Sequence, residues 1–518
     1  MPTILAYDLG TGGNKASLYD ADGQCLGAVF TPYETLYPDA GLHEQRPTDW
    51  WAAVVQSTRE LLAGGDVDPA SIECLAVSGH SLGCVPLDAS GRLLRKSTPI
   101  WSDKRPGAAQ LEPFFDRIDP ADWYQRTGNG FPAAHYTVFK IMHLRDTEPE
   151  LFANVDKIIG TKDYVNLKLT GRLATDYSYA SGCGAYNLKD WAYDPELIEA
   201  SGLSRELFPE IVPSTEILGT LTPEAAAELG LPQTVKVACG GVDNSCMALG
   251  ARNIQEGRVY ASLGSSAWIA VSSEEPLLDQ RAKPYVFTHV IPGMFTSAVA
   301  IFSSGTSFRW IRDQMCADLV AQAEEKDVDP YELMTALAAE SPVGSNGLLF
   351  NPSMAGGSSL EASPHIRGAL LGIDLGHTRA DVVRSAMEGI ALNLRIVLDE
   401  LRGMRSVTNE MTVVGGSSQS KLWRSIFADA FDINIVKTNV GQEAGSLGAA
   451  AVAAVGAGLW SDFSKIDNVH QIEDVATPSP ENRAVYESLL PIFRQSAADQ
   501  SELGEAVHAW KSSHGKTL

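Results

Sequence analysis

Short apolar runs bounded by Gly, Asn or Asp turns alternate along the chain with longer stretches whose apolar residues recur every three or four positions. This is the pattern of an α/β protein. Ile4–Asp8 and Ala16–Tyr19, joined by Leu9-Gly-Thr-Gly12, predict a β-hairpin, with a third strand at Cys25–Thr31 after the turn Asp20-Ala-Asp-Gly23. Thr48–Leu62 reads as an amphipathic helix, and Leu75–Ser78 and Cys84–Leu87 as strands. The second half opens in similar order, with a strand at Val235–Ala238, a helix at Ser245–Ala251 and a hairpin of Val259–Leu263 with Trp268–Val271. Its turn, Leu263-Gly-Ser-Ser266, echoes Leu9-Gly-Thr-Gly12, a weak internal repeat that predicts two domains of related architecture. Thr378–Leu401 predicts a helix opened by a capping box of Thr378 and Asp381, with Val382, Ala386, Ile390, Leu394, Val397 and Leu401 along one face. Met411–Val414 predicts a strand running into Gly415-Gly-Ser-Ser418 and then a helix carrying Leu422, Ile426, Phe427 and Ala430. Glu443–Val455 reads as a helix of small residues suited to close packing, and Glu481–Lys511 as a final helix that Pro491 should kink or split.

A length of 518 residues exceeds what one core usually supports, which agrees with two domains. The formal net charge of −24 would repel a phosphate backbone, so nucleic acid is excluded as a partner. ATP, though anionic, is compatible with such a surface if backbone N–H groups and Mg²⁺ hold it locally. The seven cysteines contain no CxxC pair and read as free thiols of a reducing compartment. The N-terminus passes straight into a strand, and the small apolar run from Leu447 is too short to span a bilayer. The expectation is a soluble, cytoplasmic protein with no membrane partner.

Three glycine turns follow strands: Asp8-Leu-Gly-Thr-Gly-Gly-Asn-Lys15, Leu263-Gly-Ser-Ser266 and Val414-Gly-Gly-Ser-Ser418. Glycine lets backbone N–H groups approach an anion, Ser and Thr add hydroxyl donors, and Lys15 could add a point charge. Taken singly, a Gly-Thr-Gly hairpin is more often a tight turn, and Asp8 a turn residue. No Walker A motif and no HRD or DFG set accompanies them. Trp50-Trp51 reads as core and rim rather than a sugar platform. His135 and His143 lack a clustered third ligand, so they do not read as a transition-metal site.

The order of these segments resembles the FGGY carbohydrate kinases, a branch of the actin-like ATPases, in xylulokinase-like style, over almost the whole chain. Ala6-Tyr-Asp-Leu-Gly-Thr-Gly-Gly-Asn-Lys15 resembles the first phosphate motif, and Pro99-Ile-Trp-Ser-Asp-Lys-Arg105 the family's W-x-D-x-R segment. Cys239-Gly-Gly-Val-Asp-Asn244 resembles the catalytic aspartate motif, and Ser262-Leu-Gly-Ser-Ser266 the second phosphate motif. Gly368-Ala-Leu-Leu-Gly372 with Glu388-Gly389 resembles the C-terminal signature. Gly415-Gly-Ser-Ser-Gln-Ser420 with Glu443-Ala-Gly-Ser-Leu-Gly-Ala-Ala450 resembles the adenosine-binding segment. The chain departs from the family where Gly-Gln-Met-His-Gly is replaced by Gly79-His-Ser-Leu-Gly83, and where a Gly-Glu-Arg element is replaced by Gly356-Gly-Ser358.

The resemblance implies an α/β fold of two actin-like (ribonuclease H-like) domains with a central cleft. Their expected ranges are 1–245 for the N-terminal sugar-binding domain and 246–470 for the nucleotide-binding domain, followed by a helical extension at 471–518. It implies an ATP-dependent kinase acting on a hydroxyl of a small sugar, foremost a ketopentose such as xylulose or ribulose. The alternatives are another polyol or ketose (glycerol, erythritol, a tetrulose, a signalling polyol) as acceptor, or a non-catalytic ATP-binding switch. Asp243 is the implied general base, with an N-cap role for a helix beginning at Ser245 as its structural counterpart. Asp8 would organise Mg²⁺, through water. Gly10, Thr11, Gly12 and Lys15 would face phosphates, as would Gly264 and Ser265, with Gly415, Gly416 and Ser417 against the rest of the nucleotide. His80, Ser81, Trp101, Asp103, Asp243 and Asn244 would meet the acceptor. Hinge closure and a homodimer are compatible with the resemblance.

Overall fold

The computed structural model of the chain describes residues 1–65 and 67–514, which divide into two compact units. The first comprises Met1–Glu256, Ser272–Ser297 and Glu443–His470. The strands of its main sheet are β1 (Thr3–Leu9), β2 (Gly13–Asp20), β3 (Cys25–Pro32), β4 (Ile72–Gly79), β5 (Ile217–Thr220), β6 (Lys236–Ala238) and β7 (Gly241–Val242). They form one sheet in the order β5-β6-β4-β1-β2-β3, with β7 paired to β4. β1, β2 and β3 are antiparallel neighbours, whereas β4 runs parallel to β1, β6 and β7. Both strands of the expected hairpin and the third strand are therefore present.

Alternation along β1 and β2 sorts side chains to two covers. On one face Tyr7 reaches the helix Pro47–Ala63, its hydroxyl 2.7 Å from Thr58 Oγ1, within a core that includes Leu5, Leu75, Val77, Trp50 and Val54. On the other face lies the helix Ala444–Ala457, whose Ser446 hydroxyl meets Ser17 at 3.1 Å and Tyr19 at 2.8 Å. This late segment returns to the first unit, which is therefore discontinuous in sequence. The cause is its near-total content of small residues, which lets a helix lie directly on a sheet.

The second unit comprises Gly257–Val271, Ala298–Gln442 and the chain from Gln471 onward. Its strands β8 (Val259–Leu263), β9 (Ala267–Ser273), β10 (Glu410–Val414), β11 (Asn434–Thr438) and β12 (Ile472–Ala476) pair in the order β9-β8-β10-β11-β12. β8 is antiparallel to β9 and parallel to β10, just as β1 is antiparallel to β2 and parallel to β4. The repeat seen in the sequence is thus a repeat of topology. The helix Arg379–Met404 opens with the expected capping box, the Thr378 N–H donating to Asp381 Oδ2 at 2.7 Å. The last helix, Pro480–Ser513, runs through Pro491 without a break, so of the expected kink or split the split does not occur. Its first half is held by Tyr486, which donates to buried Glu388 at 2.9 Å. All seven cysteines are free. Among the described residues no helix is long and apolar enough to cross a membrane.

Candidate active site

Strand register assembles the acidic part of the site. Asp8 pairs with Ser78 across β1 and β4, and Ser78 and Gly79 pair with Gly241 and Val242 across β4 and β7. Asp8 and the start of the helix Asp243–Gly250 therefore meet at the carboxyl ends of neighbouring strands, where open α/β sheets place ligands. Ser78 Oγ donates to Asp8 Oδ1 at 2.8 Å, and Lys15 lies opposite Asp8 on β2. Burial raises the proton affinity of Asp8, opposed by the Ser78 bond and the Lys15 charge. Asp243 is the first residue of its helix, and the N-cap position falls to Val242, which offers no capping side chain. The expected capping role is thus not taken. Instead Asp243 Oδ1 accepts from its neighbour Asn244, at 2.8 Å from the backbone N–H and 3.1 Å from Nδ2. Burial and then the negative charge of Asp8 push the Asp243 carboxyl up to about 7.

The first glycine turn is tightly supported. The Gly10 N–H donates to Gly13 O at 3.0 Å, and Gln45 Nε2 donates to Thr11 O at 2.7 Å while Gln45 itself accepts from Trp50 Nε1 at 2.9 Å. Tyr33 donates its hydroxyl to Gly10 O. Burial, and then Asp8 and Asp243, push that phenol far above its ordinary range, so it stays a neutral donor. Thr11 and Gly12 remain exposed. Trp101 Nε1 donates to Thr11 Oγ1 at 2.9 Å, tying the W-x-D-x-R segment to the turn. Phe131, 6.5 Å from Trp101 between ring centroids and stacked on Tyr285 at 3.9 Å, extends the aromatic wall. Tyr33 and Phe131 were not legible in the sequence, since both are lone aromatics in irregular segments.

The remaining acceptor candidates form its underpinning. Asp103 is fully buried. Both its oxygens are taken, Oδ2 by the His43 N–H at 2.7 Å and by the Arg105 guanidinium at 2.8 Å, Oδ1 by Arg105 Nε at 2.8 Å. Burial alone would raise this carboxyl, but the Arg105 bonds and charge hold it low. His80 is 1% exposed, its ring 3.2 Å from Thr161 Oγ1 and edge-on to Trp50, and burial lowers it to about 4. Ser81 is buried as well. These three side chains have little or no surface left for a ligand, in contrast to Trp101 and Asn244. Leu82 is buried at φ +59°, unusual for a bulky residue. Its carbonyl and that of Ile100 accept from buried Lys140 Nζ at 3.0 and 2.7 Å.

In the second unit Ser262 pairs with Val414, so the turns after β8 and β10 lie side by side. Gly415 adopts φ +97°, and a Cβ there would stand 2.7 Å from Leu263 O, so only glycine fits the crossing. Ser265 O accepts from the N–H groups of Ser304 at 3.0 Å and Thr306 at 3.1 Å, and Gly264 O from Gly305 at 3.0 Å. Gly264, Ser265 and Gly416 stay exposed and Ser417 half-buried, where an anion would meet them, although the Gly264 N–H is already donated to Ser266 O at 3.1 Å.

No group of three or more His, Cys, Asp or Glu side chains suited to a metal occurs among the described residues. Asp8 and Asp243 are too few for an all-protein cage, but they fit Mg²⁺, which keeps waters and uses substrate phosphates as ligands. Asp8 Oδ2 also lies where the helix Ala444–Ala457 passes so close that a Cβ on Gly445 would be 2.5 Å away.

Comparison with known proteins agrees with this architecture. The model "FGGY family of carbohydrate kinases, N-terminal domain" matches residues 3–250, and the C-terminal domain model of the same family matches residues 259–457. A xylulose kinase of Bacillus subtilis (strain 168) is 28% identical over 99% of this chain and 100% of its own length. A gluconokinase of Bacillus licheniformis is 27% identical over 95% of this chain and 94% of its own. The crystal structure of xylulose kinase from Rhodospirillum rubrum superposes with a TM-score of 0.86 at 26% identity, covering 97% of this chain and all of that one.

Proposed function

This chain belongs to the FGGY family of carbohydrate kinases, and from that premise we propose that it transfers the γ-phosphoryl group of ATP to a hydroxyl of a ketopentose such as xylulose or ribulose, with Asp243 as general base. The chain is a sugar phosphotransferase; the acceptor and the residue roles are the proposal. The observation that carries it is the environment of Asp243. A partly accessible carboxyl at the carboxyl edge of the sheet is raised to about 7 by burial and by Asp8. It is thus substantially ionised near neutrality and still a strong enough base to accept a hydroxyl proton.

In this mechanism Asp243 takes the proton of the acceptor hydroxyl as its oxygen bonds to the γ-phosphorus. The bond from γ-phosphorus to the β–γ bridging oxygen breaks, and ADP departs with that electron pair. The exposed turn at Thr11 and Gly12 receives phosphate oxygens through its amides. Ser265, Gly416 and Ser417 serve the nucleotide through amides and hydroxyls, Gly264 lets the chain approach it closely while its own N–H is held by Ser266 O, and Lys15 and Ser78 fix Asp8. Mg²⁺, when bound beside Asp8, supplies charge neutralisation to the phosphate oxygens. Trp101 and Asn244 meet the acceptor, whereas Asp103, His80 and Ser81 act beneath them by holding the Trp101 and Leu82 segments in place.

The ketopentose reading is supported by the full-length similarity to a xylulose kinase. One observation favours a second acceptor class. Leu82 stands where xylulokinases of the family carry a histidine, its side chain is buried, and a gluconokinase is nearly as similar. A coupled ADP-release assay across pentuloses, tetruloses, hexuloses, glycerol, erythritol and sugar acids decides between them. Best turnover with xylulose or ribulose is expected; a sugar acid or polyol with the highest kcat/KM overturns the ketopentose assignment. No acceptor-stimulated turnover would point to a nucleotide-binding switch.

A further inference from the structure

A buried charged cluster lies in the first unit outside the groups that face substrates. Lys162 Nζ stands 2.7 Å from Asp163 Oδ1 and 3.1 Å from Asp176 Oδ1, and none of the three side chains is more than 1% exposed. Burial opposes the Lys162 charge, but the adjoining carboxylates hold it protonated. Taking such ions out of water is expensive, and apolar residues of the same size would often serve stability better. The cluster therefore calls for a reason beyond cohesion.

Its hydrogen bonds converge on one segment. Lys162 Nζ donates to Cys239 O at 3.4 Å, and Asn166 Nδ2 donates to the same oxygen at 2.7 Å. Asp176 Oδ2 accepts from the Ser178 hydroxyl at 2.5 Å, the Ser214 hydroxyl at 2.7 Å and the Ser178 N–H at 3.0 Å. With its proton committed to Asp176, the Ser178 hydroxyl oxygen accepts from the Val242 N–H at 3.0 Å. The Gly240 N–H donates to Ser214 O at 3.0 Å. The segment 239–242 is thus bound at three points, Cys239, Gly240 and Val242, by one network, and the next residue is Asp243.

We propose that Ser178 is a positioning residue for Asp243: oriented by Asp176 and Lys162, its hydroxyl fixes the Val242 amide and so sets where the carboxylate stands. The proposal rests on the reading of Asp243 as the base. The charge on the cluster has a direct use here, because a charge-assisted bond to Asp176 locks the serine rotor in the one orientation that leaves its lone pair on the amide. A catalytic group misplaced by even about 1 Å loses roughly a hundredfold in rate.

The test is a double-mutant cycle in the full-length enzyme. Ser178→Ala should lower kcat by about tenfold or more while the KM values for ATP and acceptor move less than about threefold. In an Asp243→Asn background the same substitution should cost nothing further, because the group it positions is gone. A Ser178→Ala kcat within about twofold of the parent, or a loss of the same size in the Asp243→Asn background, overturns the proposal. If Asp243→Asn itself retains near-parental kcat, the base assignment fails instead, whatever Ser178→Ala does. Should Ser178→Ala not fold, Asp176→Asn, which weakens the same lock at equal volume, must show the same kcat loss and the same non-additivity; full kcat in that variant refutes the proposal.

Discussion

At the scale of single residues, the proposed chemistry rests on Asp243 and its surroundings. Replacing it with Asn preserves shape and removes the base, so kcat should fall by about a thousandfold or more while ATP binding, measured by calorimetry, is retained. In the parent enzyme log kcat should decline with unit slope as pH falls below about 7, the value to which burial and Asp8 raise this carboxyl. A profile flat down to pH about 5 would show an ordinary carboxylate at work. The same shift has a stability sign. From about pH 4 to about 7 the folded state keeps a proton that the unfolded chain has lost, so this group's favourable contribution is lost as pH rises through that window. Asp243→Asn should therefore be more stable than the parent by roughly 1–2 kcal/mol at pH 8, with the difference vanishing near pH 4, as read from urea midpoints. Equal midpoints at pH 8 would mean that the buried charge costs nothing. The motif around Asp243 was legible in the sequence; its raised proton affinity was not, because it depends on the register that brings Asp8 alongside.

At the scale of elements, glycine content separates two kinds of helix. A Cβ on Gly448 would stand 1.8 Å from Cys246 O, and one on Gly250 would stand 1.8 Å from Ala444 O, so the helices Asp243–Gly250 and Ala444–Ala457 touch backbone to backbone. Gly448→Ala should destabilise by about 2–4 kcal/mol through overpacking, although alanine is the better helix former. Gly403, exposed in the helix Arg379–Met404 with nothing within 4 Å of an added Cβ, provides the contrast. Gly403→Ala should gain about 0.5–1 kcal/mol. Thermal melts of both variants check the pair, and two shifts of the same sign would refute the packing argument. The small-residue run of Glu443–Val455 announced close approach in the sequence, but not which partner it approaches. The long periodic helices and the two hairpins were readable because each repeats its pattern over several turns or strand positions. The region between Thr98 and Gly230 was not. Its strands are two to four residues long and many of its helices a turn or two, too short for any period to emerge. Pro491 does not split its helix: a proline costs one backbone bond, and a helix of 34 residues anchored through Tyr486 tolerates that loss.

At the scale of the whole molecule, the net charge of −24 acts on whatever approaches the sites. Its field reaches about 30 Å in 0.01 M salt and about 8 Å at 0.15 M, so salt separates long-range repulsion from local contacts. A neutral acceptor feels almost none of this field. With MgATP saturating, kcat/KM for a ketopentose should change less than about twofold across that range of salt. An anionic sugar acid approaching the same surface is repelled at low salt, and its kcat/KM should rise several-fold as the field is screened. The slope therefore reports the charge of the acceptor the site is built for, independently of which compound turns over fastest. Steady-state kinetics at a handful of salt concentrations measures it. If a neutral ketopentose gains several-fold in kcat/KM with salt, the ions must act on the site itself, and the protein's net charge ceases to explain selection between acceptor classes. If instead a sugar acid is accepted with a slope that falls with salt, a local cationic group outweighs the global field. Lys15 is then the first residue to substitute, because it faces Asp8 across the hairpin that carries the first glycine turn.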